Sequence, residues 1–353
     1  MSAKARPGTA KAPTRVLVCE DSRTYAAALS RTLAHDGDIQ IVGISPTAED
    51  AIARLTETAP DLVTMDIELP GMSGLEAVEQ IMSVRPVPIL VLSSHVGHGS
   101  TAGSALAAGA LDALAKDDLD LHDPGGPAAG VLRQRVRLLS RARVIRHPRA
   151  RLANGRRPAA SSVREASVVA ICASTGGPQA LSALFAALPA SFPIPILVVQ
   201  HITAGFIEGF ARWLDSAVRL PVAMASEGQR ATPGIWIAPD GAHLLLGRYG
   251  RLALDRETVS GPHRPSGDAL FASVAEQAGA HGAAVVLTGM GRDGAEGLAA
   301  VRRVGGFTIA QDEKTSAVFG MPRAAAQEQP DLVLPLDRIP RALAALKVPK
   351  KAA

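Results

Sequence analysis

Three residues in the second half of the chain have the types that acyl transfer needs, and each follows a short apolar run. Ser174 stands in ICASTGGP, His201 in VVQHITAGF and Asp293 in LTGMGRDGAEG. A hydroxyl nucleophile, an imidazole base and an orienting carboxylate can work in any chain order, provided they converge. Gly176, Gly177 and Pro178 open a helical pattern behind Ser174. That turn exposes the hydroxyl beside free backbone N–H groups and the positive end of a helix dipole. The GMG turn before Asp293 is pliable backbone, and Met290 N–H is the first choice of donor to an oxyanion. Each residue also has a plain reading: Ser174 and Asp293 as helix caps, His201 as a structural histidine. The run is not a GxSxG elbow, because Cys172 takes the first glycine's place. A Cys172–His201 pair is another nucleophilic arrangement, but strand alternation turns Cys172 inward.

A second group belongs to the first half. Glu20 and Asp21 follow RVLVC, Asp66 ends DLVTMD, Ser93 ends VPILVLS and Lys116 ends ALDALAK. Three converging carboxylates repel one another unless a cation joins them, and hard oxygen donors suit Mg²⁺. Such an ion neutralises charge on a transferring phosphoryl group, with Lys116 pairing to the product and Ser93 donating a hydrogen bond. A lone strand-end aspartate is more often a turn residue. Five such residues in order, each ending a strand, carry the argument together.

The elements that must position these groups alternate along the chain. Apolar strands at 15–19, 39–45, 61–66, 87–93 and 110–116 are each followed by a helical pattern. Continuous apolar strands separated by helices give a parallel sheet covered on both faces. In such sheets ligands bind at the carboxyl ends of strands, where the five residues fall. Alternation resumes at 167–174 and runs to 307–311, with helical patterns at 178–188, 205–217, 267–278 and 293–304, and an antiparallel-looking insertion around 222–255. The expected organisation is a disordered lead over 1–13, a first α/β domain over 14–132, a linker over 133–165 and a second α/β domain over 166–348.

Charge narrows the function classes. The net charge is +4, yet residues 133–164 hold eleven arginines and neither lysine nor an acidic residue, so the rest of the chain carries −7. The basicity belongs to one segment, which argues against a nucleic-acid face on either domain. Residues 167–340 read as strands and glycine turns, not as a helical DNA-binding output unit. Two cysteines, Cys19 and Cys172, lie in different halves; they form no disulfide framework and suit a reducing cytoplasm. No apolar run approaches the roughly 20 residues of a membrane span, so membrane insertion is not expected.

The first group resembles the response-regulator receiver family over about residues 14–125. The resemblance implies a flavodoxin-like (βα)5 fold, Asp66 as phospho-acceptor from a partner histidine kinase, and Glu20 and Asp21 beside it as Mg²⁺ ligands. Ala113 stands where receivers often carry an aromatic switch residue, and Asp117 follows Lys116 in place of a proline. In the second half ASTGGP, the QH and AGF run, HRPSGD, LTGMGRDGA and VFGMP resemble the chemotaxis methylesterase family CheB over about 167–335. That resemblance implies a doubly wound, mostly parallel-sheet methylesterase domain with Ser174 as nucleophile, His201 as base and Asp293 as orienting acid. It further implies a cytoplasmic, phosphorylation-regulated serine hydrolase of the chemotaxis pathway. The expected substrates are glutamate methyl esters and glutamines on chemoreceptor helices, with no metal in the ester step. Cys172 replaces a glycine common in that family. A catalytically silent module of the same fold is the rival that labelling of Ser174 would separate.

Overall fold

The computed structural model describes residues 12–94, 101–142, 164–258 and 263–349. The first unit runs β1 (Thr14–Cys19), α1 (Arg23–Ala34), β2 (Ile39–Ser45), α2 (Ala48–Thr58), β3 (Leu62–Asp66), α3 (Gly74–Val84), β4 (Ile89–Ser93), α4 (Thr101–Ala108), β5 (Asp112–Ala115) and α5 (Pro127–Leu139). Its five strands pair in parallel in the order β2-β1-β3-β4-β5. This is the flavodoxin-like doubly wound order. Side-chain caps start three of its helices: Ser22 accepts from Tyr25 N–H, Thr47 from Asp50 N–H, and Ser73 forms a capping box with Glu76. Each cap satisfies an orphan helix donor and contributes about 1 kcal/mol.

The second unit continues with β6 (Val168–Ala173), α6 (Gly177–Ala186), β7 (Ile196–Gln200), α7 (Ile207–Ala217), β8 (Val222–Met224), β9 (Ile235–Ile237), β10 (His243–Leu246), β11 (Leu252–Asp255), α8 (Gly267–Ala278), β12 (Gly282–Val286), α9 (Ala295–Arg303), β13 (Phe307–Gln311), α10 (Met321–Gln327), β14 (Leu332–Leu334) and α11 (Ile339–Ala344). Seven strands form one parallel sheet in the order β14-β13-β12-β6-β7-β9-β8. Apolar clusters cover both faces, one around Phe185, Phe210 and Ile171, the other around Phe271, Leu270 and Val286. Each such fully buried side chain contributes about 1.5–3 kcal/mol of transfer free energy. The chain winds from β6 toward β7 on one side and returns through β12 toward β13 on the other. The strand order therefore reverses between β6 and β12, where an open parallel sheet forms its crevice.

Two expectations are corrected. The insertion read as antiparallel over 222–255 is so only in its second half. β8 and β9 extend the main sheet in parallel register, and β10 with β11 alone forms an antiparallel hairpin. Short strands such as Val222–Met224 carry too few residues to declare their direction. The arginine stretch also begins inside α5. Arg133 is buried, with Nε 2.8 Å from Asp36 Oδ2, and Arg137 pairs with both Asp36 and Asp38. Those arginines fasten the last helix of the first unit to the turn before β2. The expected linker residues 143–163 and the lead through residue 11 lie outside the described residues.

Candidate active site

The turn after β6 carries Ser174, and backbone contacts fix it from both neighbouring strands. Ser174 N–H donates to Thr288 C=O at 3.0 Å, and its C=O accepts from Gly177 N–H at 2.7 Å. The buried Gln200 amide donates to the carbonyls of both Ser174 and His201, at 2.8 Å each. One side chain thus ties the serine turn to the histidine turn. Gly289 is needed beside it, because a Cβ there would meet Ser174 Cβ at 2.6 Å.

His201 follows β7, and Asp293 lies in the loop after β12. His201 Nε2 stands 2.8 Å from Asp293 Oδ2, off the line of a well-aligned hydrogen bond, so the contact is an ion pair by distance. Nδ1 has no protein partner and is the nitrogen left for a proton from Ser174. The Ser174 hydroxyl makes no hydrogen bond among the described residues; such bonds commonly tighten only when substrate binds. Asp293 Oδ1 accepts from Ser266 O–H at 2.8 Å and Asp268 N–H at 3.1 Å, and Oδ2 from Gly267 N–H at 2.6 Å. Burial alone would raise this carboxyl, but His201 and the backbone donors outweigh it and hold Asp293 well below the usual carboxylate range. Met290 backbone makes no hydrogen bond among the described residues, which leaves its N–H free to face an oxyanion.

At the carboxyl edge of the first sheet, Lys116 Nζ bridges Glu20 Oε2 and Asp66 Oδ2, at 2.7 Å to each. Glu20, Asp21 and Asp66 each bring a carboxylate oxygen within 4.8 Å of the others, an all-oxygen donor set that fits Mg²⁺. Burial pushes the Glu20 carboxyl up despite Lys116. Lys116 is raised: the two carboxylates override the burial that lowers it. Ser93 Oγ is buried without a partner and lies at the end of β4.

The two units meet beside the Ser174 turn. Gly176 N–H donates to Leu111 C=O at 3.1 Å, and Thr175 hydroxyl to Asp112 Oδ2 at 3.4 Å, so the first unit touches the two residues after Ser174. Arg135 of α5 lies 3.5 Å from the same Asp112 oxygen. Helix α4 packs on α7, and Phe206 before α7 is buried in the first unit's cluster with Ala113, Ala105 and Val91. Thr203 hydroxyl donates to Ala113 C=O at 2.8 Å. Met290, Ala317 and Val318 pack against Leu111, Leu132 and Val136. A cavity of about 530 Å³ opens between Leu138, Arg141 and the loop 313–319, with no member of the Ser174 cluster in its lining.

Several contributors escaped sequence reasoning. His263 stacks on His201 with ring centroids 4.3 Å apart; burial first, then the charges of His201 and Arg135, push it below its ordinary value. Its signal was present in HRPSGD, ahead of the Ser266 cap. Gln200 and Thr288 lie within the QH run and LTGMGRDGA, but nothing in those runs marks either as a hydrogen-bonding support for the serine turn. Tyr25, whose ring faces Lys116 Nζ at 4.5 Å, had none.

Fold and clusters together define a class: a phospho-acceptor α/β unit closed onto an α/β hydrolase unit whose serine, histidine and aspartate edge one switch point. Residues 16–121 match the response regulator receiver domain family and residues 169–343 the CheB methylesterase family. Protein-glutamate methylesterase/protein-glutamine glutaminase 2 of Anaeromyxobacter dehalogenans is 43% identical over 335 residues, 94% of this chain and 96% of that protein. A like-named protein of Pseudomonas aeruginosa is 38% identical over 340 residues, 94% and 96% of the two chains. The solved catalytic domain of Thermotoga maritima CheB methylesterase is 40% identical, covers 51% of this chain and 98% of its own, and has a TM-score of 0.48. This chain belongs to the CheB methylesterase family, with a receiver domain at its amino-terminal side.

Proposed function

We propose that this chain hydrolyses γ-glutamyl methyl esters, and deamidates glutamines, on the cytoplasmic helices of a chemoreceptor. Ser174 Oγ attacks the ester carbonyl while His201 Nδ1 takes its proton, and Asp293 stabilises the imidazolium that forms. Met290 N–H, with no competing partner, faces the oxyanion of the tetrahedral intermediate. Collapse expels methanol with the proton from His201. Water then enters and attacks the acyl-enzyme as His201 takes its proton. Collapse of the second intermediate breaks the bond to Ser174 Oγ, which regains that proton from His201 as the glutamyl carboxylic acid leaves and ionises. Deamidation follows the same route with ammonia leaving. The observation that carries this reading is the 2.8 Å approach of His201 Nε2 to Asp293 Oδ2 at the crevice that also holds Ser174.

Asp66 is the proposed acceptor for a phosphoryl group from a sensor histidine kinase. Glu20, Asp21 and Asp66 would hold Mg²⁺, which when bound neutralises charge on the group in transfer. Lys116, which now pairs with Asp66, turns to the new phosphoryl oxygens, and Ser93 offers its unused hydroxyl. The contacts at Thr175 and Gly176 support a closed receiver that limits access to Ser174, with phosphorylation favouring an open arrangement a few kcal/mol away. Among the described residues no helix is long and apolar enough to cross a membrane.

The test is methanol release from methylated receptor membranes. Ser174→Ala is expected to cut it by about 10⁴-fold or more. Near-normal release from that variant would remove Ser174 as nucleophile.

A further inference from the structure

Ester hydrolysis leaves one reactive group beside the site without a task. Cys172 is fully buried at the end of β6, and its Sγ lies 3.9 Å from Asp293 Oδ2. Sγ, a ring nitrogen of His201 and a carboxylate oxygen of Asp293 all fall within 4.8 Å of one another. We infer that Cys172, His201 and Asp293 form a binding site for a soft divalent cation of the zinc type, and that its occupancy silences the hydrolase. The silencing half rests on the esterase reading given above; the binding half does not.

Donor chemistry selects the ion. A thiolate and an imidazole with one carboxylate favour zinc-like ions, whereas magnesium and calcium take oxygen sets such as Glu20, Asp21 and Asp66. Bond lengths of about 2.0–2.3 Å around a tetrahedral ion set its donors about 3.3–3.7 Å apart. The Nε2–Oδ2 pair at 2.8 Å must open toward that spacing, and the Sγ–Oδ2 pair at 3.9 Å must close slightly. Both are side-chain adjustments within a site whose carboxylate is already oriented. Ser266 O–H and the N–H groups of Gly267 and Asp268 fix Asp293, as outer partners of metal ligands do. His201 and Asp293 keep about a tenth of their side-chain surface exposed and Cys172 none, so the thiol is the most deeply placed donor.

The site also sets its own threshold. Burial first, and the Asp293 charge second, hold the Cys172 thiol protonated, and coordination must displace that proton to solvent. An ion with weak affinity for sulfur does not repay that cost. Once bound, the ion takes the Asp293 oxygen and the His201 Nε2 lone pair, which leaves the imidazole's own proton on Nδ1, the nitrogen that would otherwise receive the Ser174 proton. Ser174 then has no base, and the hydroxyl stays a poor nucleophile.

Cobalt(II) and zinc(II) test both halves. The chain has two cysteines, so in the Cys19→Ala full-length protein Cys172 is the one thiol left. Metal-stripped Cys19→Ala, kept in Mg²⁺ to fill the receiver cluster, is titrated with cobalt(II). A thiolate-to-cobalt charge-transfer band with tetrahedral ligand-field bands, saturating near one cobalt per chain and displaced by zinc, is expected. No thiolate band overturns the site. Zinc should next abolish methanol release by the wild-type chain, reversibly with chelator. Loss of even an outer partner costs a metal site about 10–100-fold in affinity. Cys172→Ala, which loses a ligand, should therefore raise the half-inhibitory zinc concentration by about 100-fold. Cobalt binding with unchanged methanol release, or equal zinc sensitivity in Cys172→Ala, overturns the silencing. Absence of methanol release from the metal-free wild-type enzyme strikes the esterase reading instead, and the cobalt band still decides the site.

Discussion

Asp293 keeps its charge in a buried place because four groups face it, and its neighbour bears the consequence. Asp268 accepts one hydrogen bond from Gly297 N–H at 2.7 Å, but burial and the nearby Asp293 charge push its carboxyl up to about 6. The folded chain therefore holds a proton on Asp268 that the unfolded chain gives up at lower pH. Stability from this group is complete below the ordinary aspartate range and is lost as pH rises toward about 6. Asp268→Asn, which retains the acceptor, should melt closer to wild type at pH 4 and gain on it by pH 7. A constant difference across that range would show that the charge is not the cause. Gln200 makes a second prediction at this scale. Gln200→Leu leaves the His201 carbonyl without a donor and the Ser174 carbonyl with Gly177 N–H alone, and should cost about 1–3 kcal/mol in urea unfolding. The candidate residues were legible as types at strand ends, since Ser174, His201 and Asp293 each follow an apolar run. Their supporting contacts were not: Gln200 works on two backbone carbonyls, and Ser266 reaches Asp293 from 27 residues away in the chain, a pairing that no local pattern displays.

Helices α4 and α7 form the closest joint between the units. A Cβ on Gly103 would meet Phe210 N at 2.7 Å and the Gly209 backbone, and backbone cannot yield as a side-chain tip can. Gly103→Val should wedge this joint and raise the unphosphorylated rate of methanol release several-fold, with little change in the phosphodonor-stimulated rate. Unchanged basal release would mean that the joint does not limit access. The parallel sheets were legible because their strands are apolar on both faces, as in ILVVQ of β7. The direction of β8 and β9 was not, and neither was the origin of the aromatic packed beside Ala113. Phe206 reaches that place from the other unit, across the joint, and local periodicity carries no trace of such a contact.

Across the whole molecule, two charge systems stay apart. Lys116, Glu20 and Asp66 form one at the carboxyl edge of the first sheet, and His201 with Asp293 the other at the edge of the second. Asp66→Asn should abolish labelling by acetyl phosphate and leave methanol release at its basal level when phosphodonor is added. Stimulation retained in that variant would place the switch elsewhere. The molecule's net charge, by contrast, misleads when read as one number: Arg133 and Arg137 are spent on Asp36 and Asp38 and offer little to an outside partner.

The Leu111 carbonyl occupies an amide at the start of α6, the end of that helix where negative charge is most welcome. If a receptor segment brings a carbonyl or carboxylate to Gly176 N–H once the units part, receiver and receptor compete for one donor, and saturating receptor should itself populate the parted form and lower the amount of phosphodonor needed for half-maximal rate.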